Sequence, residues 1–332
     1  MENNETMLIQ EESENIQPTD SAPAPKKKGL RPEWILGFIV ILMAAVLITL
    51  VVVCKPYFHP VEEVEETIPP VTLGEEDPAA LLQQNREEFL EPTEASGETE
   101  PETPTIPPDP NPYDRYDFQY NRDNYLVLQR LPSSPGIDVS AYQGNIDWKK
   151  VADSGIEFAI IRLGYRGYGK AGRMVEDAYA KKNLEGARKA GLKVGAYFFS
   201  QALNQREVDE EITFMLKILG DFPLDMPIIL DWEIPTDTAR TVNMDARTLT
   251  DIQRHFCQTM TKKGYTPMIY FNWFQSERLY YLSELEEWPF WLAMYQDRMT
   301  YPWEVEMWQY TCTGKVPGIQ GDVDINVYMG RL

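Results

Sequence analysis

The chain has 332 residues, with 52 Asp and Glu against 31 Lys and Arg, and its formal net charge at pH 7 is -21. Most of the excess acid lies in residues 1–25 and 59–112, so the C-terminal part is only mildly acidic. Nucleic-acid recognition needs a basic surface, which excludes a nucleic-acid partner. With only 2 histidines, His-based triads and His-ligated zinc are disfavoured, and we predict no metal and no other cofactor.

Residues 34–54 form an apolar segment without a charged side chain. A helix of this length rises roughly 31 Å, the thickness of the hydrocarbon core of a bilayer. A cleaved signal peptide would be shorter and followed by small residues, so we predict an uncleaved, single-pass transmembrane helix. The basic cluster at 26–31 precedes the segment, which predicts a cytoplasmic tail at 1–33 and an extracellular C-terminal part at the cell membrane.

Residues 55–125 are predicted to form an extracellular stalk. They are rich in Glu, Pro and Thr, with Glu-Glu-Val-Glu-Glu at 62–66. Such a composition buries too little apolar area to fold, and charge repulsion and proline keep the chain extended. The stalk would therefore act as a spacer between the bilayer and a folded domain at 135–332.

From residue 135 onward, short apolar strands alternate with helices. Strands are predicted at 136–139, 158–163, 193–200, 227–231 and 268–271, and the helices that follow them at 147–154, 176–190, 205–219, 245–263 and 274–282. Three further strands, at 290–294, 306–310 and 323–327, leave little room for helices. The alternation indicates an α/β fold with a parallel sheet. Eight strands are enough to close a TIM-like barrel, with the last strand beside the first.

Four acidic residues occupy strand ends, where such barrels carry their chemistry. Asp138 lies in the first strand, and Asp231 and Glu233 stand two residues apart after the fourth, so they point to the same face. Asp324 lies in the last strand, beside Asp138 once the barrel closes. Converging acids raise one another's pKa and keep one of them protonated, as glycoside hydrolysis requires. Taken singly, Asp138 could cap a turn, and the Asp231/Glu233 pair could be a solvated strand end.

Side chains near the same strand ends are candidates for binding a sugar, because the apolar face of a sugar ring can stack on an aromatic ring. These candidates are Tyr197, Phe199, Tyr270, Trp291, Tyr295 and Gln309. Away from the strand ends, Cys257 and Cys312 have a spacing that matches no metal motif. We expect two buried thiols there, with a disulfide bond as the open alternative.

Several longer motifs in this region carry a family resemblance. They are Gly-Ile-Asp-Val-Ser-Ala-Tyr-Gln-Gly at 136–144, Ile-Asp-Trp at 146–148, Gly-Ala-Tyr-Phe-Phe at 195–199, Leu-Asp-Trp-Glu at 230–233, Trp-Leu-Ala-Met-Tyr at 291–295, Trp-Gln-Tyr-Thr at 308–311 and Gly-Ile-Gln-Gly-Asp-Val-Asp-Ile-Asn at 318–326. In these motifs and their order, residues 135–332 resemble glycoside hydrolase family 25, the Chalaropsis-type lysozymes. The resemblance implies an irregular barrel of five β/α units plus three strands.

The resemblance also implies hydrolysis of the β-1,4 bond between N-acetylmuramic acid and N-acetylglucosamine in the glycan strands of peptidoglycan. By position, Glu233 corresponds to the general acid, and Asp138, Asp231 and Asp324 to the rest of the acidic cluster. Three routes remain open: attack by the substrate's acetamido group oriented by Asp231, direct attack by Asp138, and Asp138 acting as base on water. A non-catalytic wall-binding module and a chitinase-like hydrolase are the alternative functions.

Overall fold

The computed structural model describes residues 108–330 and residue 332. The predicted cytoplasmic tail, the apolar segment 34–54 and most of the predicted stalk lie outside the described residues. Within the described part, no helix combines the length and the apolar composition that crossing a bilayer requires. The membrane anchor therefore stays a prediction from the sequence.

The described strands and helices follow the predicted order closely. The strands are β1 (Phe118–Tyr120), β2 (Leu126–Leu128), β3 (Ser134–Val139), β4 (Phe158–Arg166), β5 (Met174–Glu176), β6 (Lys193–Ser200), β7 (Ile228–Trp232), β8 (Pro267–Asn272), β9 (Phe290–Ala293), β10 (Met307–Gly314) and β11 (Val323–Tyr328). The helices are α1 (Trp148–Asp153), α2 (Ala180–Lys189), α3 (Gln205–Leu219), α4 (Ala246–Lys262) and α5 (Trp273–Arg278), with 3-10 turns at Ala141–Gln143 and Leu282–Glu284. The main difference is at 174–176, which form a short strand, whereas the sequence predicted a helix that begins at residue 176.

Among the described residues, eight strands close into a barrel. Their order is β3-β11-β10-β9-β8-β7-β6-β4, and β3 pairs with β4 to complete the ring. Within this ring every pairing among β3, β4, β6, β7, β8, β9 and β10 is parallel, whereas β11 runs antiparallel to both of its neighbours. The predicted α/β barrel and its closure are confirmed, since Asp324 in β11 stands opposite Asp138 in β3.

Side chains alternate between the barrel interior and the surrounding layer of helices, as the two-residue period of a strand dictates. In β4, Phe158 and Ile160 belong to the inner cluster, whereas Ala159 and Ile161 pack in the outer core. Gly136 makes room for the inner layer, because a Cβ there would lie 2.3 Å from the Phe158 ring. Packed apolar side chains thus fill the barrel and leave its mouth for polar groups.

Helix α4 illustrates how local sequence sets the outer layer. The side chain of Asp245 accepts a hydrogen bond from the backbone N–H of Thr248 at 2.9 Å, which caps the first turn. Leu249, Phe256 and Met260 recur on one face of the helix and are fully buried. The chain leaves the helix at Gly264, whose φ of +86° suits a residue without a Cβ.

Residues 108–133 cover the side of the barrel where β10 and β11 have no helices between them. The ring of Phe118 packs edge-on against Trp308 with centroids 5.2 Å apart, and the backbone N–H of Leu126 donates to the Tyr310 hydroxyl at 3.3 Å. Phe118 lies inside the range 55–125 that was assigned to the stalk. The predicted stalk therefore extends too far along the chain, because the helix-free wall of the barrel buries aromatic side chains that precede residue 125.

Truncating this contact should destabilise the fold. Because the Phe118 ring is only 5% exposed, we expect Phe118→Ala to lower the free energy of unfolding by about 3–5 kcal/mol. Tyr116→Ala is the matched control, since that side chain is 72% exposed and its loss should change stability by less than about 0.5 kcal/mol. Chemical denaturation of the full chain in detergent measures both variants, and equal stability would show that this segment is no part of the core.

The two cysteines of the folded part are both buried. Cys257 lies in α4 and Cys312 in β10, and no disulfide bond joins them. This excludes the alternative of a disulfide bond between Cys257 and Cys312.

Candidate active site

Three of the four predicted acids are buried at the mouth of the barrel, and the fourth, Asp324, stands opposite Asp138 on the neighbouring strand. Asp138 lies near the carboxyl end of β3, and Asp231 and Glu233 lie at the end of β7. All three are nearly buried, with 7%, 7% and 9% of their surface exposed. Because they sit at inward-facing positions of two strands, barrel closure brings together carboxyl groups that are far apart in sequence.

Burial shapes the protonation of the Asp231–Glu233 pair. Burial is the largest influence on Asp231 and raises its pKa well above the usual value, and the charges of Glu233 and Asp138 raise it further. Burial likewise raises the pKa of Glu233 to about 7, against a hydrogen bond from Asp231, and the charge of Asp138 adds to the rise. The pair therefore retains at least one proton near neutral pH, and such a group can protonate a leaving oxygen.

Two side-chain amides fix the third acid. The Nε2 of Gln309 and the Nδ2 of Asn326 each donate a hydrogen bond of 2.8 Å to Oδ2 of Asp138. N–H donors aimed at one carboxylate oxygen stabilise a negative charge on it. Asp138 is thus positioned as an anionic group beside the pair that holds a proton.

Predicted sugar-binding residues form the layer behind these amides. The indole Nε1 of Trp291 donates to Oδ1 of Asn326 at 2.9 Å. The hydroxyls of Tyr270 and Tyr295 both donate to Oε1 of Gln309, each at 3.2 Å. The rings of Tyr270 and Trp291 lie 4.8 Å apart, and both residues are buried, so they orient the amides that hold Asp138.

The other predicted residues have different positions around the mouth. Asp324 is half-buried opposite Asp138, and its charge adds to the burial that raises the pKa of Tyr295. Tyr197 is half-buried, and burial raises its pKa well above the usual value, while the nearby charge of Arg162 opposes this rise. Phe199 is only 2% exposed, which leaves its ring almost no accessible face.

One oxygen at the mouth stands out among the described residues. Oδ1 of Asp231 is buried and has no hydrogen-bond partner. Leaving a buried acceptor unsatisfied costs about 1–3 kcal/mol, so its presence calls for a compensating role. A ligand that brings an N–H or O–H group into the mouth would satisfy this oxygen.

Buried amides hold the backbone that carries Glu233. The Nε2 of Gln275 donates to the carbonyl of Trp232 at 2.9 Å, and the Nε2 of Gln201 donates to the carbonyl of Glu233 at 2.6 Å. The Trp232 indole points the other way and donates to the carbonyl of Ala202 at 2.9 Å. Sequence reasoning missed both glutamines, because each follows a different strand and only the fold brings them to β7.

A buried cation lies beneath the acids. Arg162, 1% exposed, donates from Nε to Oδ2 of Asp177 at 2.7 Å, and the same oxygen accepts the backbone N–H of Ala141. The charge of Arg162 opposes the rise that burial causes in the pKa of Asp231. The sequence signal for this cation is an arginine at an inward-facing position of the apolar strand predicted at 158–163. No group of three or more potential metal ligands forms a site in the described part of the chain.

Comparison with known proteins identifies the family of this chain. Residues 137–319, more than half of the chain, match the sequence model of the glycosyl hydrolases of family 25. The chain belongs to this family. It is therefore a glycosidase, and the family resemblance inferred from its motifs is confirmed.

Individual relatives agree with the family match. YegX of Escherichia coli strain CFT073 is 31% identical over 221 residues, which cover 61% of this chain and 73% of YegX. Lysozyme M1 of Streptomyces globisporus is 28% identical over 207 residues, 59% of this chain and 67% of that enzyme. The modular autolysin LytC of Streptococcus pneumoniae, solved with a synthetic peptidoglycan ligand, is 25% identical with a TM-score of 0.53. That alignment covers 64% of this chain and 50% of LytC, so the chain spans half of the autolysin.

Proposed function

We propose that this glycosidase hydrolyses the β-1,4 bond between N-acetylmuramic acid and N-acetylglucosamine in peptidoglycan, with Glu233 as the general acid. The observation that carries the proposal is the buried Asp231–Glu233 pair beside Asp138, which keeps a proton near neutral pH. Cleavage of a glycoside needs such a proton for the leaving oxygen and a negative charge near the developing oxocarbenium ion. The similarity to lysozyme M1 and to the LytC–peptidoglycan complex supports the substrate class.

The partnerless Oδ1 of Asp231 favours attack by the acetamido group of the substrate itself. The N–H of that group would donate to this oxygen, leaving the acetamido carbonyl to attack the anomeric carbon while Glu233 protonates the leaving oxygen. A hydrogen bond to Asp231 also favours its ionised form, which moves the proton of the pair to Glu233. Water then opens the cyclic intermediate, with Glu233 as the base. Asp138, held by its two amides, stabilises the positive charge on the sugar.

The route is tested with glycan strands whose muramic acid residues have lost their acetyl groups. We expect the full chain to cleave these strands at least about 100-fold more slowly than acetylated ones, since the attacking oxygen is missing. Retained cleavage with net retention of configuration would instead favour direct attack by Asp138. Inversion would favour Asp138 as base on water.

The substrate is tested by digesting purified peptidoglycan with the full-length chain in detergent. Mass spectrometry of the products should find every new reducing end on N-acetylmuramic acid. Reducing ends on N-acetylglucosamine, or faster cleavage of chitin oligomers, would assign a different glycosidase activity. Binding to the wall without any new reducing end would indicate a non-catalytic module.

The pH dependence follows from the raised pKa of Glu233. The proton donor is the protonated carboxyl, and its pKa is about 7, so kcat/KM should fall as the pH rises through about 7. Initial rates on soluble glycan fragments between pH 5 and 9 measure this fall in kcat/KM. Asp231→Ala removes the hydrogen bond that opposes the rise in the pKa of Glu233, so in that variant the fall in kcat/KM should occur at higher pH. A rate that stays constant up to pH 9 would contradict the assignment of Glu233.

The apolar segment 34–54 supports a proposal about location. We infer that it holds the enzyme at the outer face of the cell membrane and that residues from 55 to about 107 space the barrel from the bilayer. The enzyme would then act on the wall of the cell that makes it. Protease treatment of intact cells should remove the barrel and leave a membrane-bound N-terminal fragment. Release of a soluble, active barrel without added protease would contradict the anchor.

A further inference from the structure

A groove of about 760 Å³ includes Tyr295 in its lining, the residue whose hydroxyl binds Gln309 in the candidate active site. Most of its lining comes from the β1–β2 hairpin, the loop after β9 and the β10–β11 hairpin, and Ser154 after α1 adds to it. Its volume falls within the range of about 300–1,000 Å³ that ligand pockets occupy. The β1–β2 wall precedes residue 137, so the part of the chain that matches the family does not include it.

One end of the groove reaches the active site through Tyr295. This side chain lines the groove, and its hydroxyl donates to Oε1 of Gln309, the amide that holds Asp138. Burial raises the pKa of Tyr295, and the charge of Asp324 adds to this rise. A group that branches sideways from a sugar on the acid cluster would therefore enter the groove at Tyr295.

The groove is lined by charged side chains as well as by aromatic rings, and a site for neutral sugar rings alone would not need the charges. Tyr120 offers an aromatic face that is 50% exposed, and the charge of Asp297 on the opposite wall adds to the burial that raises the pKa of its hydroxyl. Asp123 supplies a second acid, and Lys315, bound to Asp322 at 2.7 Å, supplies a base whose side chain is 71% exposed. Charges of both signs suit a ligand that itself carries carboxylate and amino groups.

We propose that this groove binds the short peptide that N-acetylmuramic acid carries in peptidoglycan, at the residue whose glycosidic bond is cut. The inference rests on the proposed function. The peptide branches from the sugar ring, and Tyr295 connects the groove with the amide that holds Asp138. It also bears the carboxylates and the amino group that the lining would pair. The enzyme would thus select strands with their peptides attached over bare glycan.

The test compares uncrosslinked glycan strands that carry their peptides with the same strands stripped of peptide by an amidase. The full-length wild type should cleave the peptide-bearing strands faster. Tyr120→Ala with Asp297→Asn should lower kcat/KM on those strands about tenfold, as expected for the loss of a few contacts, and on stripped strands less than about twofold. Tyr116→Ala with Asp221→Asn is the matched control, since both side chains are exposed and lie outside the groove.

The outcomes separate the two claims. Cleavage of both substrates with equal losses in the groove variant, or with no loss beyond the control, overturns the peptide site and leaves the proposed function standing. Failure of the wild type to cleave either substrate overturns the proposed function and the peptide site with it. A loss confined to peptide-bearing strands establishes the site.

Discussion

Replacing Glu233 with glutamine is expected to lower kcat by a factor of roughly 100 to 10,000, the usual contribution of a positioned general acid. Glutamine keeps the size and the polarity of the side chain but has no proton to give to the leaving oxygen. Rates of reducing-end release from purified peptidoglycan by the full chain measure the loss. Glu185→Gln, at an exposed position on α2, is the matched control and should leave the rate unchanged. A Glu233→Gln variant within tenfold of wild type would remove Glu233 from this role.

The same substitution has a stability signature that separates lost chemistry from lost folding. The pKa of Glu233 rises from 4.5 to about 7 on folding, because burial disfavours its charge. Such a group stabilises the fold fully below the unfolded pKa, and this contribution is lost as the pH rises through the folded pKa. The stability of Glu233→Gln relative to wild type should therefore increase between pH 4 and pH 8. Denaturation curves at both pH values test this, and a variant that becomes relatively weaker at pH 8 would contradict the buried, protonated state.

Asp177→Ala is expected to lower the free energy of unfolding by about 3–5 kcal/mol, the usual cost of removing one partner of a buried ion pair. Asp177 is 3% exposed and binds Arg162, itself 1% exposed, at 2.7 Å. The substitution removes the carboxylate that the buried guanidinium of Arg162 binds at 2.7 Å. It also removes the acceptor for the backbone N–H of Ala141, just after the strand that carries Asp138. Activity should therefore fall together with stability.

Two companion variants make this result specific. Glu176→Ala removes the neighbouring surface pair with Lys181, whose side chains are 44% and 64% exposed, and should cost less than about 1 kcal/mol. Arg162→Met with Asp177→Leu removes both buried charges and should recover much of the stability lost in Asp177→Ala. Chemical denaturation of the full chain compares them. If the double variant is no more stable than Asp177→Ala, the loss of this ion pair is not the cause of the destabilisation.

Much of the fold followed from local patterns. Apolar strands of the right length alternate with helices that begin at capping residues such as Asp245 and end near glycines such as Gly264. That alternation leaves a parallel barrel as the favoured arrangement, and the two-residue spacing of Asp231 and Glu233 puts both acids on one face. The prediction failed at residue 125, because the burial of Phe118 depends on the helix-free wall beside β10, which no local pattern reveals.

The sequence by itself determined the fold class, the family and the acids at the strand ends, since these depend on short-range periodicity and on motifs of adjacent residues. Only the tertiary structure decided what surrounds each acid. Gln309 and Asn326 reach Asp138 from strands more than 170 positions away, and Arg162 lies beneath Asp231 only after the barrel closes. A pKa depends on burial and on charges within a few ångströms, and the separation of two residues along the sequence gives neither quantity. The proton held by the Asp231–Glu233 pair is therefore a property of the folded barrel.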